Sequence, residues 1–123
     1  MFKIMVLLRR RHGLSREELV HHYENQHVPL TEKLIVDGKI PRAVEYRRNY
    51  FLFGDVTTTL TDREMNFDML IEATFESREQ YLLTKVAHGG DPEITRIVGE
   101  DFGKYVDLTS VRYIAVDERH SGG

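Results

Sequence analysis

Gly13-Leu14-Ser15-Arg16-Glu17-Glu18-Leu19-Val20-His21-His22-Tyr23-Glu24-Asn25-Gln26-His27-Val28-Pro29-Leu30 carries a helix start, a helix-breaking residue and a titratable ring in one stretch. Ser15 and Glu18 form a capping box, in which the serine side chain accepts from the third helical amide and the glutamate reaches back to the Ser15 amide. Leu14 and Leu19 occupy the hydrophobic-staple positions around it. Leu19, Tyr23, His27 and Leu30 then recur at spacings of three and four, which places them on one apolar stripe. Pro29 disfavours the α conformation at Val28, so the spacing predicts a kink or break directly after the histidine. A second helical piece, through Leu34 and Ile35, ends at Gly38 as its cap. Two readings stand for His27: a core histidine with one hydrogen-bond partner, or a proton-transfer group beside distorted helix geometry.

Outward from this stretch, residues 2–8 are a near-continuous apolar run with one lysine and read as a strand buried on both faces. Residues 9–13, three arginines with His12 and Gly13, read as a solvated turn rather than an anion gate. Residues 43–53 are rich in Tyr, Val and Phe and read as a second strand. Alternation puts Val44, Tyr46, Arg48 and Tyr50 on one face and Ala43, Glu45, Arg47 and Asn49 on the other. Residues 54–66 read as a loop and 67–75 as a third strand. Ser77-Arg78-Glu79-Gln80 is a second capping box, opening a helix that His88-Gly89-Gly90 breaks. Asp91-Pro92 starts a short helix to about residue 98, residues 99–108 read as irregular, and residues 109–117 read as a fourth strand.

The resulting order, β-α-β-β-α-β, predicts the α+β, ferredoxin-like plan: a four-stranded antiparallel sheet with helices on one face. Residues 1–118 make a single domain and 119–123 a loose tail. Helices on one side leave the other sheet face bare, and its apolar side chains predict a second copy packed there as a two-fold homodimer.

Composition narrows the chemistry. The absence of cysteine excludes disulfides, Cys-bound zinc, iron–sulfur clusters and cysteine nucleophiles. A net charge of -3 gives no reason to expect nucleic acid as a partner. The N-terminal apolar run is too short for a signal peptide core or a membrane span, so a cytoplasmic protein with no membrane partner is expected.

The first strand, the polar turn, Gly13-Leu14-Ser15-x-x-Glu18 and Tyr23-x-x-x-His27-x-Pro29-Leu30 resemble the EthD family of the dimeric α+β barrel superfamily, and Phe67-Asp68 fits the start of its third strand. Val28 stands where that family often has a small residue, which narrows the space beside His27. The resemblance implies a dimeric barrel with a pocket in each subunit between helices and sheet. It also implies small enzymes without an organic cofactor: lyases, dehydratases, decarboxylases, cyclases, isomerases and anthrone-type oxygenases acting on aromatic or polyketide-like compounds. Other members are accessory proteins of degradation pathways.

Acid–base catalysis is what the side chains best support. An imidazole titrates near pH ~6.5 and both takes and gives a proton near neutrality. His27 is therefore the expected catalytic residue, Tyr46 a second donor able to polarise a carbonyl, and Asp68 a candidate to orient the imidazole. Each has a plainer reading: a packed tyrosine with its hydroxyl at a rim, and an aspartate capping a turn. Tyr23, Asn49 and His88 are expected to line the substrate pocket, His88 as a lid residue beside Gly89-Gly90. His21 and His22 are adjacent and point about 100° apart on a helix, so no metal site is expected, and nothing specific supports haem. The expected activity is a cofactor-independent, lyase-type reaction on a small aromatic or polyketide-like carbonyl compound. A cofactor-free oxygenase or a non-catalytic ligand-binding protein are the alternatives.

Overall fold

The computed structural model describes residues 1–84 and 91–122 in full, and residues 85–90 as helix backbone. Its strands are β1 (Phe2–Arg10), β2 (Glu45–Tyr50), β3 (Met69–Phe75) and β4 (Val106–Val116). Its helices are α1 (Arg16–His22), a π-helical turn at Tyr23–His27, α2 (Val28–Val36), α3 (Arg78–Gly90) and α4 (Pro92–Gly103). The sheet is antiparallel in the order β2-β3-β1-β4, with β1 and β3 central, as the ferredoxin-like plan requires.

Alternation along the strands sorts the side chains into two layers. Ile4, Val6 and Leu8 of β1 and Met69, Ile71, Ala73 and Phe75 of β3 are buried. The helical side adds Leu19, Tyr23, Leu34 and Ile94 to the buried set, and Tyr105 is completely enclosed. Burial of each large apolar side chain contributes about 1.5–3 kcal/mol before chain entropy is counted. On the other face, Glu45, Arg47 and Asn49 of β2 are exposed, while Met5, Leu7 and Leu70 are half-buried and Ile114 is exposed. Among the described residues no helix is long and apolar enough to cross a membrane.

The capping box forms as expected: the Glu18 amide donates to the Ser15 hydroxyl, and the Ser15 amide to Glu18, each at 3.1 Å. The predicted break after His27 does not. The helix runs through Pro29 because the turn ahead of it widens, with the Val28 amide donating to the Tyr23 carbonyl five residues back. A proline in a helix crowds the carbonyl four residues before it, and a π turn is a way to accommodate that. Leu30 is only half-buried, and Leu34 takes the deeper place.

Further boundaries differ: α3 runs to Gly90 where a break at His88-Gly89-Gly90 was expected, and β4 begins at Val106 instead of residue 109. β1 continues to Arg10, into the expected charged turn, because Arg9 and Arg10 pair with Asp107 and Val106 after a register shift. β2 is shorter than residues 43–53, and the chain turns at Gly54, whose φ of +87° suits a residue without Cβ. α4 passes Gly99 and ends at Gly103, since Ile94, Val98 and Phe102 keep the helical apolar period on either side of that glycine.

Two ion-pair clusters lock the layers. Asp68 is 3% exposed and accepts from the Arg10 amide at 2.8 Å and the Arg10 guanidinium at 2.6 Å, with Arg16 Nε at 3.4 Å. It therefore ties the end of β1 and the start of α1 to β3, which corrects the expectation that it orients His27. In the second cluster, Arg48 grips Glu24 with two hydrogen bonds, at 2.6 and 3.0 Å, and the Tyr50 hydroxyl donates to the same carboxylate at 2.7 Å. That cluster fastens the π turn to β2. The Arg48 hydrogen bonds hold the Glu24 carboxyl below its ordinary pKa, against a partial burial that acts to raise it.

Two outcomes follow from these clusters. Asp68→Asn lowers stability in urea unfolding by about 1–3 kcal/mol, since two partly buried guanidiniums lose the buried carboxylate between them, and leaves ligand affinity at His27 unchanged. For Glu24 the folded pKa is depressed, so its stabilisation is complete above the unfolded carboxyl value and disappears as pH falls through the folded one. Arg48→Met removes on the order of 1 kcal/mol near neutrality and flattens the pH dependence of stability in the acid range below about pH 5.

Candidate functional site

The π turn and the end of α4 bring a histidine and a carboxylate together inside the layer between helices and sheet. His27 is 6% exposed, and its Nδ1 lies 3.1 Å from Asp101 Oδ2. An ionised carboxylate only accepts, so this contact carries the ring's hydrogen at Nδ1. The Tyr105 hydroxyl donates to the same Asp101 oxygen. Burial, with that hydrogen bond, pushes the Tyr105 phenol far above its ordinary range. Around the imidazole stand three aromatic rings: Tyr23 and Phe102 with centroids 5.0 Å away and Tyr105 at 6.2 Å. Asp101 thus does what the sequence reading assigned to Asp68.

Tyr23 and Tyr46 meet hydroxyl to hydroxyl across the gap between the π turn and β2. Tyr23 is 1% exposed, whereas Tyr46 is half-buried and borders open space. A buried hydroxyl hydrogen needs an acceptor, so Tyr23 donates to Tyr46 and leaves the Tyr46 hydrogen for a bound molecule. Burial holds both phenols above their ordinary range, Tyr23 the more strongly. Near neutrality they are donors, not phenolate bases.

Two hollows meet at His27 and Tyr46. One, of about 270 Å³, opens between α2 and β2 and is lined by Val28, Thr31, Ile35, Ile40 and Ala43. The other, of about 200 Å³, lies under α4 and is lined by Tyr23, Tyr81, Phe102 and Tyr113 with Ile4 and Val6. Among the described residues both share His27, Tyr46, Ala73, Phe75 and Val98. Val28 does line the first, where the family resemblance anticipated a narrowed pocket. A third hollow, of about 500 Å³, holds Arg16, Glu24, Tyr50 and Asp68. Its Arg16, Glu24 and Asp68 are all held in ion pairs.

The expected site residues therefore divide. His27, Tyr46 and Tyr23 come together. Asp68 lies in the Arg10–Arg16 cluster. Asn49 is on the outer sheet face, where it donates to Glu72 at 2.9 Å and to the Leu70 carbonyl, so it does not line the pocket. The side chain of His88 lies outside the described residues. Sequence reasoning missed Asp101 and Tyr105, because Gly99 and Gly103 made residues 99–108 look irregular. The usable signal was the helical spacing Ile94-Val98-Phe102-Tyr105, which puts Asp101 next to the buried stripe. Among the described residues no three His, Asp or Glu side chains converge as a metal site.

Comparison with known proteins supports the fold at low identity. A protein of Arabidopsis thaliana, known from its crystal structure, aligns with a TM-score of 0.61 at 14% identity over 99% of both chains. A dimeric protein of unknown function with a ferredoxin-like fold from Bacteroides fragilis aligns at 0.58 and 14% identity over 95% of both chains. A dimeric ferredoxin-like protein of unknown function from Jannaschia sp. aligns at 0.57 and 12% identity, over 95% of this chain and 98% of that one. No curated protein matches the chain. The family model of the EthD domain matches residues 11–109, a span that runs from the turn before α1 into β4 and includes His27, Tyr46 and Asp101, and the chain belongs to the EthD family.

Proposed function

We propose that this protein is a cofactor-independent acid–base enzyme that moves a proton next to a carbonyl group, in a lyase-type reaction such as a dehydration, decarboxylation or cyclisation of an aromatic or polyketide-like compound. The observation that carries this reading is the pairing of His27 with Asp101 at the same hollow as the Tyr46 hydroxyl. The imidazole accepts the α-proton, and the Asp101 carboxylate beside it stabilises the imidazolium that forms. Tyr46, polarised by Tyr23, donates to the carbonyl oxygen as negative charge develops on it. Phe102, Tyr105 and Tyr23 keep water from the ring, which strengthens each of these interactions. The outer sheet face, with Met5, Leu7, Leu70 and Ile114, closes against a second copy, as the two dimeric bacterial proteins make reasonable.

The chemistry is tested without knowing the final product, by following deuterium exchange at the carbon next to the carbonyl of an aryl ketone in heavy water by proton NMR. The wild-type chain exchanges it, and His27→Gln slows exchange on the order of 10²–10⁴ fold with ligand affinity retained. Equal exchange in both proteins overturns the reading, and oxygen uptake during turnover would indicate an oxygenase instead.

The π turn offers a second check. Deleting Gln26 removes the extra residue that widens the turn, so Tyr23 and His27 stand three residues apart and cannot both keep their contacts to Tyr46 and Asp101. The folded chain retains its sheet signature in circular dichroism and loses exchange as thoroughly as His27→Gln.

A further inference from the structure

The two hollows at His27 have walls of different chemistry, and they share His27, Tyr46, Ala73, Phe75 and Val98. In the sheet register Ala73 lies between Ile4 on β1 and Tyr46 on β2, so a single methyl group forms the floor where they join. The smaller hollow is walled by aromatic rings. At about 200 Å³ it suits one substituted ring, since a dry cavity of roughly 150 Å³ is known to take benzene. Among the described residues the larger hollow is lined mainly by aliphatic side chains, Val28, Ile35, Ile40 and Ala43, and its threonines and its Arg42–Glu32 pair hold partners within the protein. The Thr31 hydroxyl donates to the Val28 carbonyl at 3.0 Å and the Thr84 hydroxyl to the Tyr81 carbonyl at 2.6 Å. Arg42 and Glu32, at its outer end, hold each other through two hydrogen bonds at 2.7 and 3.0 Å. Against the described wall a hydroxylated or polyketo chain would give up water for few new hydrogen bonds, whereas an alkyl chain gives up nothing. Among the described residues, the polar side chains that line both hollows are His27 and Tyr46.

We propose that the substrate is an aryl alkyl ketone. Its single ring fills the aromatic lobe, an unbranched alkyl arm fills the lobe between α2 and β2, and its carbonyl sits at the junction over Ala73. This rests on the acid–base reading of His27 and Tyr46 for the placement of the carbonyl, while the shape and polarity of the two lobes stand independently of it. Ala73 and Ile35 are then specificity-determining residues, Ala73 at the junction and Ile35 in the wall of the arm lobe.

The test uses isothermal titration calorimetry on the full chain, with 4-hydroxyphenyl alkyl ketones from methyl to heptyl, phenol as a one-lobe probe, and anthrone as a fused-ring probe. Affinity rises about three- to four-fold for each methylene until the arm lobe is full, then levels off. Ala73→Leu closes the junction and weakens the long-chain ketones by about 10–100 fold while phenol binds as before. Ile35→Phe shortens the longest arm accepted, which tests the arm lobe even where the Ala73 variant fails to fold. The proposal is overturned if affinity is independent of chain length, or if anthrone binds as tightly as the best ketone in all three proteins. Chain-length dependence together with deuterium exchange that survives His27→Gln would keep the two-lobed site and remove the acid–base reading. Exchange that needs His27 without any chain-length dependence would do the reverse.

Discussion

Helices cover one face of this sheet, so every group that requires a dry environment has to share a single layer. The constraint is severe in a chain of this size, because that layer is also the hydrophobic core. Leu8, Leu19 and Met69 fill it at one end. Toward the α2 and α4 side it holds a histidine, an aspartate and three tyrosines. Polar atoms in such a place are tolerated only when each has a partner. Asp101 receives Tyr105 and His27, and Tyr23 meets Tyr46, so the set is closed in pairs rather than scattered. The helix that supplies two of the five has to aim them both inward while carrying a proline two residues after the second. The widened turn at Tyr23–His27 meets both demands.

That turn is held from outside as well. Glu24, next to Tyr23, points to the rim, where Arg48 and Tyr50 of β2 hold it. Tyr46, Arg48 and Tyr50 are alternate residues on one face of one strand, so a single strand contacts the turn at three levels. The sheet register adds the next layer of control. Because Ala73 is fixed opposite both Ile4 and Tyr46, the smallest side chain on the inner face of β3 lies where the two hollows join. A slip of one residue would send Ala73 to the outer face and bring Glu72 or Thr74 inward.

Local signals were legible in the sequence and long-range ones were not. The Ser15–Glu18 capping box, the Asp91 cap and the strand alternation at Tyr46, Arg48 and Tyr50 each depend on residues a few positions apart, and each forms. His27 and Tyr23 were legible for the same reason, being one turn apart on an inward stripe. Asp68 was misread because a buried aspartate at a strand start shows no preference, in sequence, between an imidazole and an arginine. Its partners are Arg10 and Arg16, on either side of the β1–α1 turn and more than fifty residues away in the chain. Asp101 was invisible because two glycines bracket it and obscure the helix that carries it inward. The π turn was read as a kink or break after His27, since proline signals distortion without saying whether the chain will bend, stop or widen.

A core built for stability alone would replace this polar group with hydrocarbon. Buried ion pairs and hydrogen-bond networks commonly add less stability than well-packed apolar residues of similar volume, and one broken member leaves its partner stranded. Two features argue against a purely structural role for the His27 network. It borders both hollows instead of being packed solid, and its donors and acceptors are ordered with one end toward that space: Tyr23 to Tyr46 to the cavity, Tyr105 to Asp101 to the imidazole. Rings that were merely filling volume would gain from closing the space beside them. A neutral phenol and an oriented imidazole at one cavity would suit a carbonyl and the acidic hydrogen on the carbon beside it, and the proposed acid–base role rests on that complementarity.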